Sequence, residues 1–511
     1  MTSRGSDDYV VDDSGAVAEA DSAFNRGRIL SGLIVGPALF LLVRFWPGAT
    51  LPTPALSLAA IMVLMIVFWM TEALPLAVTA MLGPTLAVIM GVAPARTAFA
   101  PFADPIIFLF IGSFILAAAM FVHGLDRRIA YSALASRWVG SSAWRLGVTY
   151  AAVTAGISMW MSNTATTAMM FPLALAVLAE LRRDRRDDPA FREFALALML
   201  ITSFAASIGG IGTPVGTPPN LIGVGLLRDL AGVRISFAGW MLIGVPVVVL
   251  TMGVLVFVLL RPRARHLTLG ADAVATVRRS LDALGPIGRG ERNVIWAFGL
   301  TVLLWVGPGA LQAMLGNTHP VVQRVNLLLP ESVAAMVGAI LLFVLPVDWK
   351  ARRFTLTWDQ ASRIDWGIVL LFGGGLAMGQ MADASGLSRW LGESMAAEFP
   401  GAGTVGLTLV FTAAGVLLSE AASNTAAANI VVPIAIAVAK AAGVSPLEPA
   451  LGATLGASMG FMMPVSTPPN AIVYSSGYIP ITAMMRHGIV LDIIGYIVVV
   501  ALVLAFGRWV V

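Results

Sequence analysis

The 511-residue chain has no cysteine and only four scattered histidines. Disulfides, thiolate nucleophiles and Cys-ligated metals are excluded, and without an HExxH pair little is left for a zinc site. A serine-protease reading of Gly456-Ala457-Ser458 fails because no histidine is placed to act as its base. Charge is scarce too: Asp, Glu, Lys and Arg make up 12% of residues, against about 25% in soluble domains. The net charge of +4 sits in short loops between apolar runs, so no basic face is left for nucleic acid, which is not expected as a partner. No Walker lysine is present, so the chain carries no nucleotide-driven pump.

What the sequence has instead is apolar length. Hydrophobic residues are 58% of the chain, with mean hydropathy +0.87. Runs long enough to cross about 30 Å of hydrocarbon recur from Ile29 onward, which predicts an all-α multi-pass protein of the lipid bilayer. Residues 1–28 read as a disordered cytoplasmic tail. With the arginine-bearing loops kept on one side, spans are expected near 29–46, 55–72, 76–93, 104–123, 194–232, 237–260, 293–312, 330–347, 366–384, 449–482 and 487–510. These are eleven crossings, with the N-terminus cytoplasmic, the C-terminus outside and a cytoplasmic loop over 261–291.

Two further apolar stretches do not cross in this scheme. The first, about 146–181, has Ser162-Asn163-Thr164 at its centre and arginine clusters at both ends. Each arm of about 15 residues reaches only ~23 Å, so the expectation is a re-entrant hairpin turning at the tripeptide. The second, about 405–442, repeats the tripeptide as Ser423-Asn424-Thr425 and enters from the opposite side.

The two halves align by position. Ser162 and Ser423 are 261 residues apart, as are Asp104 and Asp365, Gly112 and Gly373, Ser158 and Ser419, and Pro172 and Pro433. "GIGTPVGTPPN", Gly210 to Asn220, matches "GFMMPVSTPPN", Gly460 to Asn470, at an offset of 250. The charged loop Arg182 to Asp188 accounts for the difference. An odd number of crossings between the copies predicts an inverted repeat, with a site near the midplane where broken helices meet.

Each Thr-Pro-Pro-Asn removes two backbone donors and breaks its helix. The free ends offer N–H groups and a positive dipole to anions, and unwound carbonyls to cations. Ser158 and Ser419 stand one turn before each tip on the same face. Two serine hydroxyls, an Asn carbonyl and backbone carbonyls per half form a neutral oxygen cage suited to a monovalent ion such as sodium. Glu420, the one acid beside a tip, lies about 100° from Ser419 on a helix and is assigned a structural role.

The duplicated Ser-Asn-Thr and Thr-Pro-Pro-Asn motifs, in the order hairpin then broken helix, resemble the divalent anion:sodium symporter family from about residue 29 to 511. The resemblance implies an elevator-type secondary transporter and a homodimer. Scaffold segments would cover 29–140 and 292–398, and transport segments 141–260 and 399–511. It implies a first sodium site of Ser158, Ser162, Asn163 and the backbone around Gly216, and a second of Ser419, Ser423, Asn424 and the backbone around Ser466. The dianion, a C4-dicarboxylate such as succinate, malate or fumarate, or alternatively a tricarboxylate or sulfate, would meet Asn163, Thr164, Thr217, Asn424, Thr425 and Thr467. An anion exchanger without net sodium coupling, and an arsenite or proton-linked antiporter, are the alternatives.

Overall fold

The computed structural model describes residues 13–510 apart from 49, 186–187, 265–266, 270, 317 and 399–400. The described residues are predominantly helical; among them one two-stranded ribbon, Pro346–Asp348 with Arg353–Phe354, joins two helices. Among the described residues, eleven helices are long and apolar enough to cross a membrane, or twelve with the pair Pro320–Leu328 and Glu331–Val344, bent by 57°.

These eleven are not the eleven expected from hydropathy. They include the hairpin arms Asn163–Arg185, Thr404–Ala421 and Asn424–Ala441, while Leu76–Ile89 is short and both broken helices count by one limb or none. An 18-residue apolar arm and an 18-residue span look the same in composition; what separates them is where the chain turns. The first helix, Asp13–Arg44, also begins well before Ile29, since the alanine-rich run after Asp13 favours helix. The tail expected to be disordered is therefore helical from Asp13, and its first twelve residues lie outside the described ones.

Sequence signals account for many boundaries. Asp104 caps Pro105–His123, its Oδ1 accepting from the Ile106 N–H at 2.9 Å, and its partner at the 261 offset, Asp365, caps Trp366–Ala384 through Ile368 at 3.3 Å. Gly112 presses on the Ala335 backbone, where a Cβ would come within 2.7 Å of the carbonyl carbon. Two short amphipathic helices, Leu125–Leu134 and Leu387–Glu398, fall where only loops were expected. Each connects one of these capped helices to the hairpin that follows. The loop over 261–291 contains the helix Ala271–Ala283 and is tied down by Arg128, whose guanidinium donates to Glu291 at 2.6 and 3.1 Å and to the Gly285 carbonyl at 2.9 Å.

Candidate functional site

The first hairpin consists of Ala143–Ser158 and Asn163–Arg185, turning through Met159 to Ser162; the second consists of Thr404–Ala421 and Asn424–Ala441, turning at Ala422-Ser423. Both tips fall at the Ser-Asn-Thr motifs. In each, the motif serine starts the second arm as a cap, Ser162 Oγ accepting from Ala165 N–H and Ser423 Oγ from Ala426 N–H, both at 3.2 Å. The helices break where the prolines require: Pro189–Gly210 resumes as Pro218–Ala231, and Leu447–Gly456 as Pro468–Tyr474.

Oxygen atoms gather between tip and break, in the same pattern twice. The buried Ser158 hydroxyl lies 2.9 Å from Asn163 Oδ1 and 2.7 Å from the Ala206 carbonyl oxygen; Ser419 lies 2.7 Å from Asn424 Oδ1 and 2.9 Å from the Ala457 carbonyl oxygen. One hydroxyl proton serves two acceptors in each place, so every cluster holds more lone pairs than hydrogens, the condition that suits a hard cation. The breaks close over these clusters because glycine lets them. A Cβ on Gly210 would sit 2.2 Å from Asn163 Oδ1, one on Gly216 would sit 2.5 Å from the Gly210 carbonyl oxygen, and one on Gly460 would sit 3.1 Å from Asn424 Oδ1.

The last residue of each Pro motif holds its break in shape, a role the sequence reading missed. Asn220 Nδ2 donates to the carbonyls of Gly210 at 2.9 Å and Thr213 at 2.7 Å; Asn470 Nδ2 donates to those of Gly460 at 3.1 Å and Met463 at 3.0 Å. Its signal was available: an amide within an apolar helix needs a partner, and the nearest free carbonyls are those where the helix is interrupted ahead of the two prolines.

Thr217 and Thr467 precede the resumed helices with the same extended backbone, φ −144° and −145°, and neither side chain caps its helix. The Thr467 hydroxyl is buried without a partner. The two helix starts thus keep uncapped N-termini beside the tips, suited to negative charge. Thr164 is exposed and Thr425 half-buried, each in the first turn after its hairpin tip.

The two halves interlock. Pro468–Tyr474 packs on the first hairpin and Pro218–Ala231 on the second, while Phe204 and Phe461 meet edge-on with centroids 5.2 Å apart. A cavity of about 870 Å³ runs from Arg127, Gln360 and Arg363 to the first tip, where Met161 and Ser162 line it. Of the expected site residues, Ser162 alone faces this cavity. Beside the second cage, Ser466 and Glu420 engage each other. Ser466 turns its hydroxyl away from the second cage, donating to Glu420 Oε2 at 2.8 Å. Glu420 itself faces the break, where its Oε1 accepts from Met462 N–H at 2.9 Å.

A family model for the sodium:sulfate symporter transmembrane region matches residues 29–511. The sodium-dependent dicarboxylate transporter SdcS of Staphylococcus aureus strain USA300 is 33% identical over 489 residues, 94% of this chain and 91% of that protein. SdcS of strain bovine RF122 / ET3-1 matches with the same identity and coverage. In fold, the crystal structure of the Alcanivorax borkumensis YdaH transporter is similar, with a TM-score of 0.53 at 16% identity over 90% of this chain and 98% of that one. Fold and matches define an integral membrane transporter, not an enzyme. The chain belongs to the sodium:sulfate symporter family, as its duplicated motifs suggested.

Proposed function

We propose that this protein is a sodium-coupled transporter of C4-dicarboxylates in the plasma membrane. The observation that carries the reading is the pair of proton-poor oxygen clusters, Ser158–Asn163 and Ser419–Asn424, each beside an uncapped helix start. Sodium in the first cluster would take Ser158, Ser162, Asn163 and the backbone at Gly216. In the second it would take Ser419, Ser423, Asn424 and the backbone at Ser466. A dianion held by Asn163, Thr164, Thr217, Asn424, Thr425 and Thr467 would then sit between two cations and two helix dipoles. That arrangement explains how a site with no Lys or Arg in any of its motifs accepts a doubly charged substrate.

Sodium-dependent dicarboxylate transport by the relatives named SdcS favours a dicarboxylate over sulfate. Matched capping by Asp104 and Asp365 and matched cages at the tips support an inverted repeat, in which the hairpins and broken helices move as one body against a scaffold of 29–140 and 292–398. The N-terminus then faces the cytoplasm, the C-terminus faces outside, and the scaffold pairs two protomers. Uptake of labelled succinate into proteoliposomes tests the reading. It should require an inward sodium gradient, and uptake driven equally well without sodium by internal dicarboxylate would make the protein an exchanger.

A further inference from the structure

The two halves agree at the cages and diverge immediately beside them. In the first half three apolar or small residues surround the break: Met159 after Ser158, Gly216 before Thr217, and Val248 four residues after Gly244. Gly244 lies against the first break, where a Cβ would meet the Ile211 and Gly212 carbonyl oxygens at 2.6 and 3.0 Å. Its counterpart is Gly488, whose Cβ would meet Met462 N and the Phe461 carbonyl carbon at 2.6 Å. The three corresponding places in the second half hold Glu420, Ser466 and Asp492.

Both acids are buried, Glu420 at 8% exposure and Asp492 at 5%. The Glu420 carboxylate is fixed by Met462 N–H and Ser466 Oγ. Asp492 approaches it from the helix Ile481–Phe506, its other polar neighbour being the backbone N–H of Phe461, and neither Asp492 oxygen has a hydrogen-bond partner of good geometry. Among the described residues, no cationic side chain pairs with either carboxylate. Arg263, the cation on that side, donates to the Val258 and Leu259 carbonyls and lies 3.3 Å from the ring of His487, five residues before Asp492. Arg486 is next to that histidine in sequence. The neighbouring helix Phe237–Leu255 contains no ionisable residue. Glu448, on the helix Leu447–Gly456, is engaged by Ser445 at 2.7 Å and Arg508 at 3.7 Å.

Two buried carboxylates facing each other without a counter-charge must either share a proton or hold a cation between them. We propose that Glu420 and Asp492 bracket a third site for sodium, present in the second half alone and additional to the two neutral cages. The proposal rests on the sodium-coupled reading and extends it. Carboxylate oxygens bind a hard cation more firmly than neutral ones. This ion would therefore enter first, and through Glu420 it would hold Met462 and Ser466 in the shape that the second cage needs.

The test counts ions instead of measuring uptake. Purified protein without substrate is titrated with radioactive sodium to saturation, with proton uptake or release followed in parallel. Wild type is expected to bind three sodium ions per protomer. Asp492→Asn, and Asp492→Val with the residue of the first half, are each expected to bind one fewer. Combining either with Ser158→Ala should raise the half-saturating concentration of one of the two remaining ions about tenfold, which shows that the first cage is still folded in the Asp492 variants. A wild-type count of two overturns the site without reference to any variant. So does an equal count in wild type and a folded Asp492→Asn, including the case where wild type alone carries a proton on the pair. A wild type that binds no sodium overturns the coupled reading itself, an outcome distinct from a count of two.

Discussion

Ser158 Oγ and Asn163 Oδ1 face each other at 2.9 Å across the turn of the first hairpin, five residues apart in sequence and joined through a single proton. A sodium ion beside the pair would be met by turning the Ser158 hydroxyl proton toward the Ala206 carbonyl, which frees lone pairs on Ser158 Oγ and Asn163 Oδ1. Ser158→Ala removes one oxygen and spares Asn163. Half-saturating sodium should rise about tenfold, corresponding to roughly 1.4 kcal/mol, within the range of a hydrogen-bonding group lost from a buried site. The succinate KM at saturating sodium should move much less. The check is succinate uptake across a sodium series, and an unchanged sodium curve would remove Ser158 from the cage.

Gly216 is pinched between backbone atoms at the first break. A methyl there would lie 2.5 Å from the Gly210 carbonyl oxygen and 2.9 Å from that of Met159, both backbone atoms that cannot swing aside. Gly216→Ala should therefore displace the Gly210 and Met159 carbonyls, which Asn220 and Thr213 hold in place, and abolish sodium-dependent uptake. The matched position in the second half, Ser466, already carries a side chain, so Ser466→Ala should be milder there. Uptake and thermal melting with and without sodium separate loss of the ion from loss of the fold.

Thr425 begins the second arm of its hairpin, half-buried, in a motif without any basic residue. Loss of its hydroxyl should cost about 1.5–3 kcal/mol of interaction with a charged carboxylate and raise the succinate KM more than tenfold. Thr425→Ser should recover most of the affinity. Unchanged kinetics in Thr425→Ala would place the anion elsewhere.

The absence of cysteine makes topology directly measurable. Arg182→Cys, at the far end of the first hairpin, should react with an impermeant maleimide from the cytoplasmic side, and Ala442→Cys, at the far end of the second, from the outside. Both residues are exposed, so access is set by the side of the membrane. Labelling of both from one face would contradict an inverted arrangement of the repeats.

Much of the site was legible because its residues carry chemistry that an apolar helix does not tolerate without purpose. Ser162-Asn163-Thr164 and Ser423-Asn424-Thr425 marked the tips, Pro218-Pro219 and Pro468-Pro469 marked the breaks, and constant offsets tied the halves together. What escaped notice depended on distance or on mixed signals. Arg127 and Arg128 read as a charged loop, although Leu125, Ala130 and Leu134 bury one face of a helix there. Asp492 is 72 residues from Glu420, and only the packing of Ile481–Phe506 on the second break joins them. The set of spans was ambiguous for a physical reason: hydropathy measures what a helix is made of and is blind to whether it turns back at Asn163 or continues.

The most direct test of the account is succinate binding titrated at several fixed sodium concentrations. If the ion completes the anion site, linkage requires sodium to tighten succinate by the same factor that succinate tightens sodium. Wild-type affinity should climb steeply from near zero without sodium to a plateau, and Asn163→Ala and Asn424→Ala should each weaken succinate binding and flatten that climb together. A succinate affinity that is the same at zero and at saturating sodium would contradict the account.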